Sequence, residues 1–263
     1  MRPSYTRSFL ENKKPLLAAM IENTTERGCL SDMRIAEHDG ADAFAIDFAM
    51  IDPACREEEV MKRIIRSTGL PVLLYTYRNY HLENATDEER AELQLRAARM
   101  GAACCDVMGD LFCPSERQLT NEPTAVRKQK RLIEEIHQAG AEALMSSHLS
   151  EPVGSQYVLD HMSRMVERGA DVAKLVAQAN TPREFAAAME TACLLQERLP
   201  VPFIFLCSGK YGPLQRYNTV LLGGLLTFSV PRYTERVLGV QPLTCDARRT
   251  MDELLRRTAY PED

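Results

Sequence analysis

The 263-residue chain predicts a (β/α)8 TIM barrel, a closed α/β fold, on three observations. Eight short apolar runs recur along it, segments of helical period separate most of them, and glycines stand just ahead of several of the next runs. Near-continuous apolar strands followed by helices read as a parallel sheet covered on both faces. Eight such units close on themselves, typically in about 250 residues. An open doubly wound sheet would carry a Gly-rich phosphate loop after its first strand, and "PLLAAMIENTTERG" holds no GxGxxG. No linker or low-complexity tract divides the chain. Residues 1–263 therefore read as one domain, with the barrel proper over about 14–258 behind a short N-terminal extension.

The first strand is "PLLAAMI" (15–21), followed by "AFAIDFA" (43–49), "PVLLYTYR" (71–78) and "ACCDVMG" (103–109). The second half supplies "EALMSSHL" (142–149), "VAKLVAQ" (172–178), "PFIFLCSG" (202–209) and "LLTFSV" (225–230). Helical period marks residues 57–69, 87–101, 122–140, 154–169 and 181–199. Gly40, Gly69, Gly101, Gly140 and Gly169 fall where a left-handed residue ends a helix and feeds a short turn.

Composition excludes several classes. Hydrophobic residues make up 45% and charged residues 26%, which is globular rather than disordered. The formal net charge is −5 with no basic block, so neither nucleic acid nor an anionic membrane is an expected partner. No run approaches the ~20 apolar residues that cross a bilayer, and the N-terminus lacks the pattern of a leader. The eight cysteines show no CxxC pair or zinc-binding spacing. They read as reduced thiols of a cytoplasmic protein, with no metal site expected. Cys104 and Cys105 read as one strand alternating between two apolar environments.

A barrel gathers its chemistry at the C-terminal ends of its strands. The polar residues there are Asp47, Arg78, Asp106, His148, Lys174 and Ser208, with Arg216 on the loop after the seventh strand. Lys174 is the most informative, because it interrupts the apolar run "RGADVAKLV". A lysine is rarely buried unless it is paired or used. An amine facing a dry barrel interior can form an imine with a ketone, and the imine acidifies the neighbouring C–H. A histidine on the adjacent strand, His148, is suited to remove and return that proton. The plainer alternatives are a lysine reaching to solvent and a hydrogen-bonded strand-end histidine. His38, His81, His137 and His161 are expected in solvated or capping roles.

"SSHLS" and "RGADVAKLV" resemble the histidine and lysine segments of the type I 3-dehydroquinate dehydratases. "PVLLYTYR" is similar to the family's third strand, "GKYGPLQRYNTVLLGGLLTF" to its later arginine and Thr-Phe stretch, and "GVQP" to its glutamine segment. The likeness runs in order over roughly residues 14–258. It implies an imine-forming carbon–oxygen lyase of the shikimate pathway of aromatic amino acid biosynthesis, acting on a keto-carboxylate, with no cofactor, as a homodimer. Carried over, Lys174 forms the imine and His148 is the general acid and base, protonating the carbinolamine and then taking the adjacent proton. Arg216 and Gln241 hold the carboxylate, Phe228 lines the pocket and Arg78 supports its polar end.

The chain also departs from the family pattern. Ala45 and Asp47 stand where the family carries a glutamate and an arginine, and Asp106-Val107-Met108 keeps only the first of two acids. Glu83 is near the place of a further acid, Leu206 and Ser208 replace methionines, and "PRYTERVLGVQ" is slightly longer than its counterpart. The residues for ketone, proton and carboxylate are kept, whereas those that read ring hydroxyls are rewritten. Asp47 offers a new acceptor for a ligand hydroxyl or amino group, or else pairs with Arg78. Two other readings stay open: an imine-forming lyase or aldolase for another cyclic or branched keto acid, and a catalytically silent relative that binds a metabolite.

Overall fold

In a computed structural model, which describes residues 8–11, 15–234 and 240–258, the eight runs form eight parallel strands. They are β1 (Leu16–Ile21), β2 (Ala43–Asp47), β3 (Val72–Tyr75), β4 (Cys104–Met108), β5 (Glu142–His148), β6 (Val172–Gln178), β7 (Phe203–Ser208) and β8 (Leu226–Ser229). Helices alternate with them: α1 (Glu26–His38), α2 (Glu58–Ile65), α3 (Asp87–Met100), α4 (Pro123–Gln138), α5 (Ser155–Val166), α6 (Pro182–Arg198), α7 (Gly212–Thr219) and α8 (Thr244–Thr258). Local chemistry sets many of these boundaries. Thr86 and Thr181 cap α3 and α6 through reciprocal capping boxes with Glu89 and Glu184, and Pro123 and Pro182 occupy first-turn positions. Gly101 ends α3 at φ 107°.

Three expectations change here. α1, α7 and α8 are helices that periodicity alone did not mark out. Gly69 does not end a helix, because α2 already stops at Ile65 and Arg66 closes it, and Gly69 is not among the glycines with positive φ. β2 and β3 stop short of the apolar runs that announced them, at Asp47 and Tyr75. The Asp47 side chain accepts the Ala49 N–H at 2.8 Å, turning the chain at the end of β2.

The strands lie in the order β7-β6-β5-β4-β3-β2-β1-β8. Strand period 2 sorts their residues into two environments. Leu16, Ala18, Ala43, Ala45, Leu73, Tyr75, Cys104, Leu144, Val172, Ile204, Leu206, Leu226 and Phe228 fill the barrel. Cys105, Val107, Ala143, Met145, Ala173 and Leu175 pack outward against helices. Cys104 and Cys105 thus face opposite ways, as expected, and the eight cysteines are all free. Phe9 closes the lower end, buried among the interior residues, with its N–H donating to Glu142 at 3.1 Å. Among the described residues no helix is long and apolar enough to cross a membrane.

The β7–β8 seam is held differently from the other strand pairs. Among the described residues Leu225, just before β8, bridges it by backbone, donating to Phe203 at 2.8 Å. Side chains of α7 reach other backbone groups of the β7 edge. Gln215 accepts from the Cys207 N–H at 2.8 Å and donates to the Phe205 carbonyl at 3.0 Å, while Thr219 donates to the same carbonyl at 2.9 Å. Buried backbone groups need partners, and here a helix supplies what a neighbouring strand would. The approach is close enough that a Cβ on Gly212 would stand 2.7 Å from the Cys207 carbonyl oxygen.

Candidate active site

Lys174 is on β6 with its side chain inside the barrel, and only 5% of the residue is exposed. Its Nζ donates to the Tyr77 hydroxyl at 2.6 Å and to Asp106 Oδ2 at 3.2 Å. Tyr77 in turn donates to the same Asp106 oxygen at 2.6 Å, closing a triangle. The ammonium also lies 5.3 Å from the Tyr77 ring centroid and 5.4 Å from that of Phe228, both within reach of a cation–π contact. Phe228 therefore borders the lysine from β8.

His148 belongs to the next strand. In the β5–β6 register Ser146 is opposite Lys174 and His148 opposite Val176, so His148 sits two residues nearer the mouth. At about 3.3 Å per residue, that is one layer above the lysine. Its ring stands edge-on to Tyr77 with centroids 4.9 Å apart. Its backbone N–H donates to Gln118 Oε1 at 2.8 Å, and Ser147 donates to the Gln118 carbonyl at 2.5 Å. Gln118 holds a left-handed φ of 49°, a conformation that costs a non-glycine residue about 1–2 kcal/mol. Arg168, donating to the carbonyls of Gly109 and Thr120, braces that loop. Burial first, then the charges of Lys174 and Arg216, hold the His148 imidazole well below its ordinary pKa of 6.5. At neutral pH this favours the unprotonated ring, which can accept a proton.

Arg216 is not on a loop but on α7, where the seam fixes it. Its Nε donates to the Cys207 carbonyl at 3.1 Å, and the residue is 5% exposed. Burial lowers its pKa to about 10, still cationic at neutral pH. No carboxylate among the described residues forms a salt bridge with it. Gln241, half-buried, donates to Met20 Sδ at 3.4 Å over the end of β1. Residues 235–239, in the longer segment leading to Gln241, lie outside the described residues.

Asp47 faces inward by its parity with Ala43 and Ala45, and is 4% exposed. Desolvation raises its pKa to about 7, with the charge of Glu22 adding to the effect and Ala49, Arg56 and Lys174 opposing it. Tyr75, its register neighbour on β3, carries a buried hydroxyl with no partner among the described residues.

Arg78 does not join this group. It lies beyond the end of β3 and grips Asp87 with Nε and Nη2 at 3.1 and 2.7 Å, while Nη1 donates to Asp110 at 2.8 Å. The inward residue at that level, two past the end of β3, is Tyr77. The expectations that Arg78 supports the pocket or pairs with Asp47 are therefore corrected, because two other carboxylates already hold its guanidinium. Glu83 is exposed. His161 is likewise corrected: it is fully buried on α5, between Ser147 at 2.9 Å and Tyr157 at 3.2 Å, and burial lowers its pKa to about 4. Lys174, His148, Phe228, Asp47 and Arg216 do converge on the barrel mouth. Tyr77 went unnoticed in the sequence, although its alternation with Leu73 and Tyr75 points it inward.

A family model described as type I 3-dehydroquinase matches residues 17–237. The chain belongs to that family. It is 28% identical over 105 residues to the 3-dehydroquinate dehydratase of Alkaliphilus oremlandii, a match spanning 39% of this chain and 41% of the relative. It is 24% identical over 260 residues to that of Aromatoleum aromaticum, across 95% of this chain and 94% of the relative. Its fold is similar to the crystal structure of type I 3-dehydroquinate dehydratase from Clostridium difficile with covalently modified comenic acid. That match has a TM-score of 0.77 and 13% identity over 94% of this chain and 95% of the other.

Proposed function

We propose that this member of the family is an imine-forming hydro-lyase that eliminates water from 3-dehydroquinate or a related carboxylated ketone. The observation that carries the reading is the buried, inward Nζ of Lys174 with a neutral histidine one layer above it on the adjacent strand. The amine attacks the ketone, water leaves, and the protonated imine draws electrons from the neighbouring carbon. His148, lacking a proton at the outset, takes the one on that carbon. The enamine then expels the β-hydroxyl, which leaves as water with the proton that His148 returns. We assign the carboxylate to Arg216, whose fork carries a charge that no described side chain neutralises, and to the amide donor of Gln241. The covalently modified comenic acid of the Clostridium difficile relative is in keeping with a covalent step.

A second reading, a different carboxylated ketone, is favoured by Asp47 beside the unpartnered Tyr75 hydroxyl. A site that hydrogen-bonds a substrate hydroxyl rejects analogues lacking it by about 10⁴-fold or more, so new groups there change the ligand. The experiment is to mix the protein with 3-dehydroquinate and sodium borohydride, locate the adduct by mass spectrometry and assay 3-dehydroshikimate. An adduct at Lys174 with product formed, both lost in Lys174→Ala, is the expected result. An adduct without product would discard the dehydratase and keep the imine.

A further inference from the structure

Imine formation needs two proton movements at the lysine nitrogen, and His148, one layer above, makes no hydrogen bond to Nζ among the described residues. The ammonium must first lose a proton to become a nucleophile, and the carbinolamine must then gain one so that its oxygen leaves as water. The groups touching Nζ are Tyr77, just past β3, and Asp106 on β4.

We propose that Tyr77 and Asp106 form the proton relay for imine formation, leaving His148 to the C–H step alone. This rests on the imine reading of the site. The connectivity is one-directional: Nζ–H donates to the tyrosine oxygen, and the tyrosine O–H donates to Asp106 Oδ2, each at 2.6 Å. Shifting both protons along these bonds turns ammonium, phenol and carboxylate into amine, phenol and carboxylic acid. The amine adds to the ketone, its N–H proton passing to the alkoxide to give the carbinolamine. Asp106 then returns its proton through Tyr77 to the departing hydroxyl, which leaves as water. Ammonium and ketone have become iminium and water, and Asp106 is again a carboxylate facing a cation. Burial and the Asp106 charge hold the Tyr77 phenol well above its usual pKa, so it passes protons on and stays protonated itself. Asp106 Oδ1 takes no hydrogen bond among the described residues, which leaves this carboxylate with spare accepting capacity. Of the other groups near Nζ, Phe228 is apolar, His148 lies one layer above, and Asp47 lies across the mouth on β2.

The test is the rate at which 3-dehydroquinate becomes borohydride-trappable at Lys174 in rapid-quench samples across pH 6–9. Tyr77→Phe keeps the ring packed on Lys174 and His148 and removes only the relay oxygen. Its adduct should form about 10-fold more slowly, and in Asp106→Asn about 10²-fold more slowly, the scale of a lost general acid–base. In both variants the rate should climb with pH, as hydroxide replaces the relay, where the wild-type rate stays nearly flat. Wild-type rate and pH dependence in Tyr77→Phe would overturn the relay even if Asp106→Asn fails to fold. Absence of any Lys174 adduct on the wild-type chain would instead overturn the imine reading, and the relay with it.

Discussion

The arc of the barrel mouth from β3 to β6 and the arc made by β1 and β2 both bury charge, and they handle it in opposite ways. On the first arc the Lys174 cation meets the Asp106 anion at 3.2 Å, with the Tyr77 hydroxyl bonded to both. On the second, Asp47 is as deeply buried but accepts from a backbone donor, Ala49, with no cation bonded to it among the described residues, and its charge meets that of Glu22. A buried charge is tolerated when paired and hydrogen-bonded, and otherwise the group keeps or gains a proton instead. So the first arc pairs its charged groups with each other, while the second holds an acid that titrates near neutrality. Lys174, His148 and Asp106, which match the family pattern, lie on the first arc, whereas Ala45 and Asp47, which depart from it, lie on the second.

The largest effect that would break this division of labour is at His148. If the relay on the first arc makes the imine and His148 acts only on the C–H bond, His148→Gln should still trap 3-dehydroquinate at Lys174. Its kcat should fall by about 10²–10⁴, so that imine accumulates. Borohydride trapping beside a 3-dehydroshikimate assay reads both quantities. Loss of the adduct together with turnover would return the carbinolamine step to His148.

Asp47 sharpens the contrast through stability. Its folded pKa of about 7 is above the unfolded value near 3.8. Between those values the folded chain keeps a proton that the unfolded chain gives up. Unfolding free energy therefore declines as pH rises through this window, with the contribution intact near pH 4 and spent above pH 7. Asp47→Asn removes the ionisation. At about 1.4 kcal/mol per pH unit, the variant's advantage over wild type should widen by about 2–3 kcal/mol from pH 5 to pH 8 in urea unfolding. A constant gap would mean that Asp47 is ionised throughout and that the two arcs do not differ.

How much of this was legible in the sequence varies with the range of the interactions. The barrel was, because period-2 and helical patterns are local. Lys174 was, because an ammonium inside an apolar strand demands a reason. Tyr77 was not, since tyrosine is an ordinary strand residue, and its role depends on partners 29 and 97 residues away. Arg78 misled for the same reason: its position matched, but Asp110, 32 residues on, claims it. His161 was recoverable, because it shares a helical face with the buried Val158, Met162 and Met165. Arg216 was singled out by likeness alone and was expected on a loop, whereas it stands on α7. Its helix begins with Gly-Pro, a readable start, but the open β7–β8 edge that fixes it is visible only in three dimensions.

That edge sets up the smallest of the effects. Arg216 spends Nε on the Cys207 carbonyl, leaving the two terminal nitrogens of the fork to a ligand. Arg216→Lys keeps the charge near His148 but loses the fork and the seam bond. A hydrogen bond to a charged group contributes about 1.5–3 kcal/mol, so KM for 3-dehydroquinate should rise about 10–100-fold. The carboxylate is unchanged between ground and transition states, and kcat should hold, as it does when uniform binding is removed. A fall in kcat at constant KM would assign Arg216 to a different task. It would then act on the first arc by helping to keep His148 neutral, with lysine unable to place its charge as well, and the carboxylate would need another anchor.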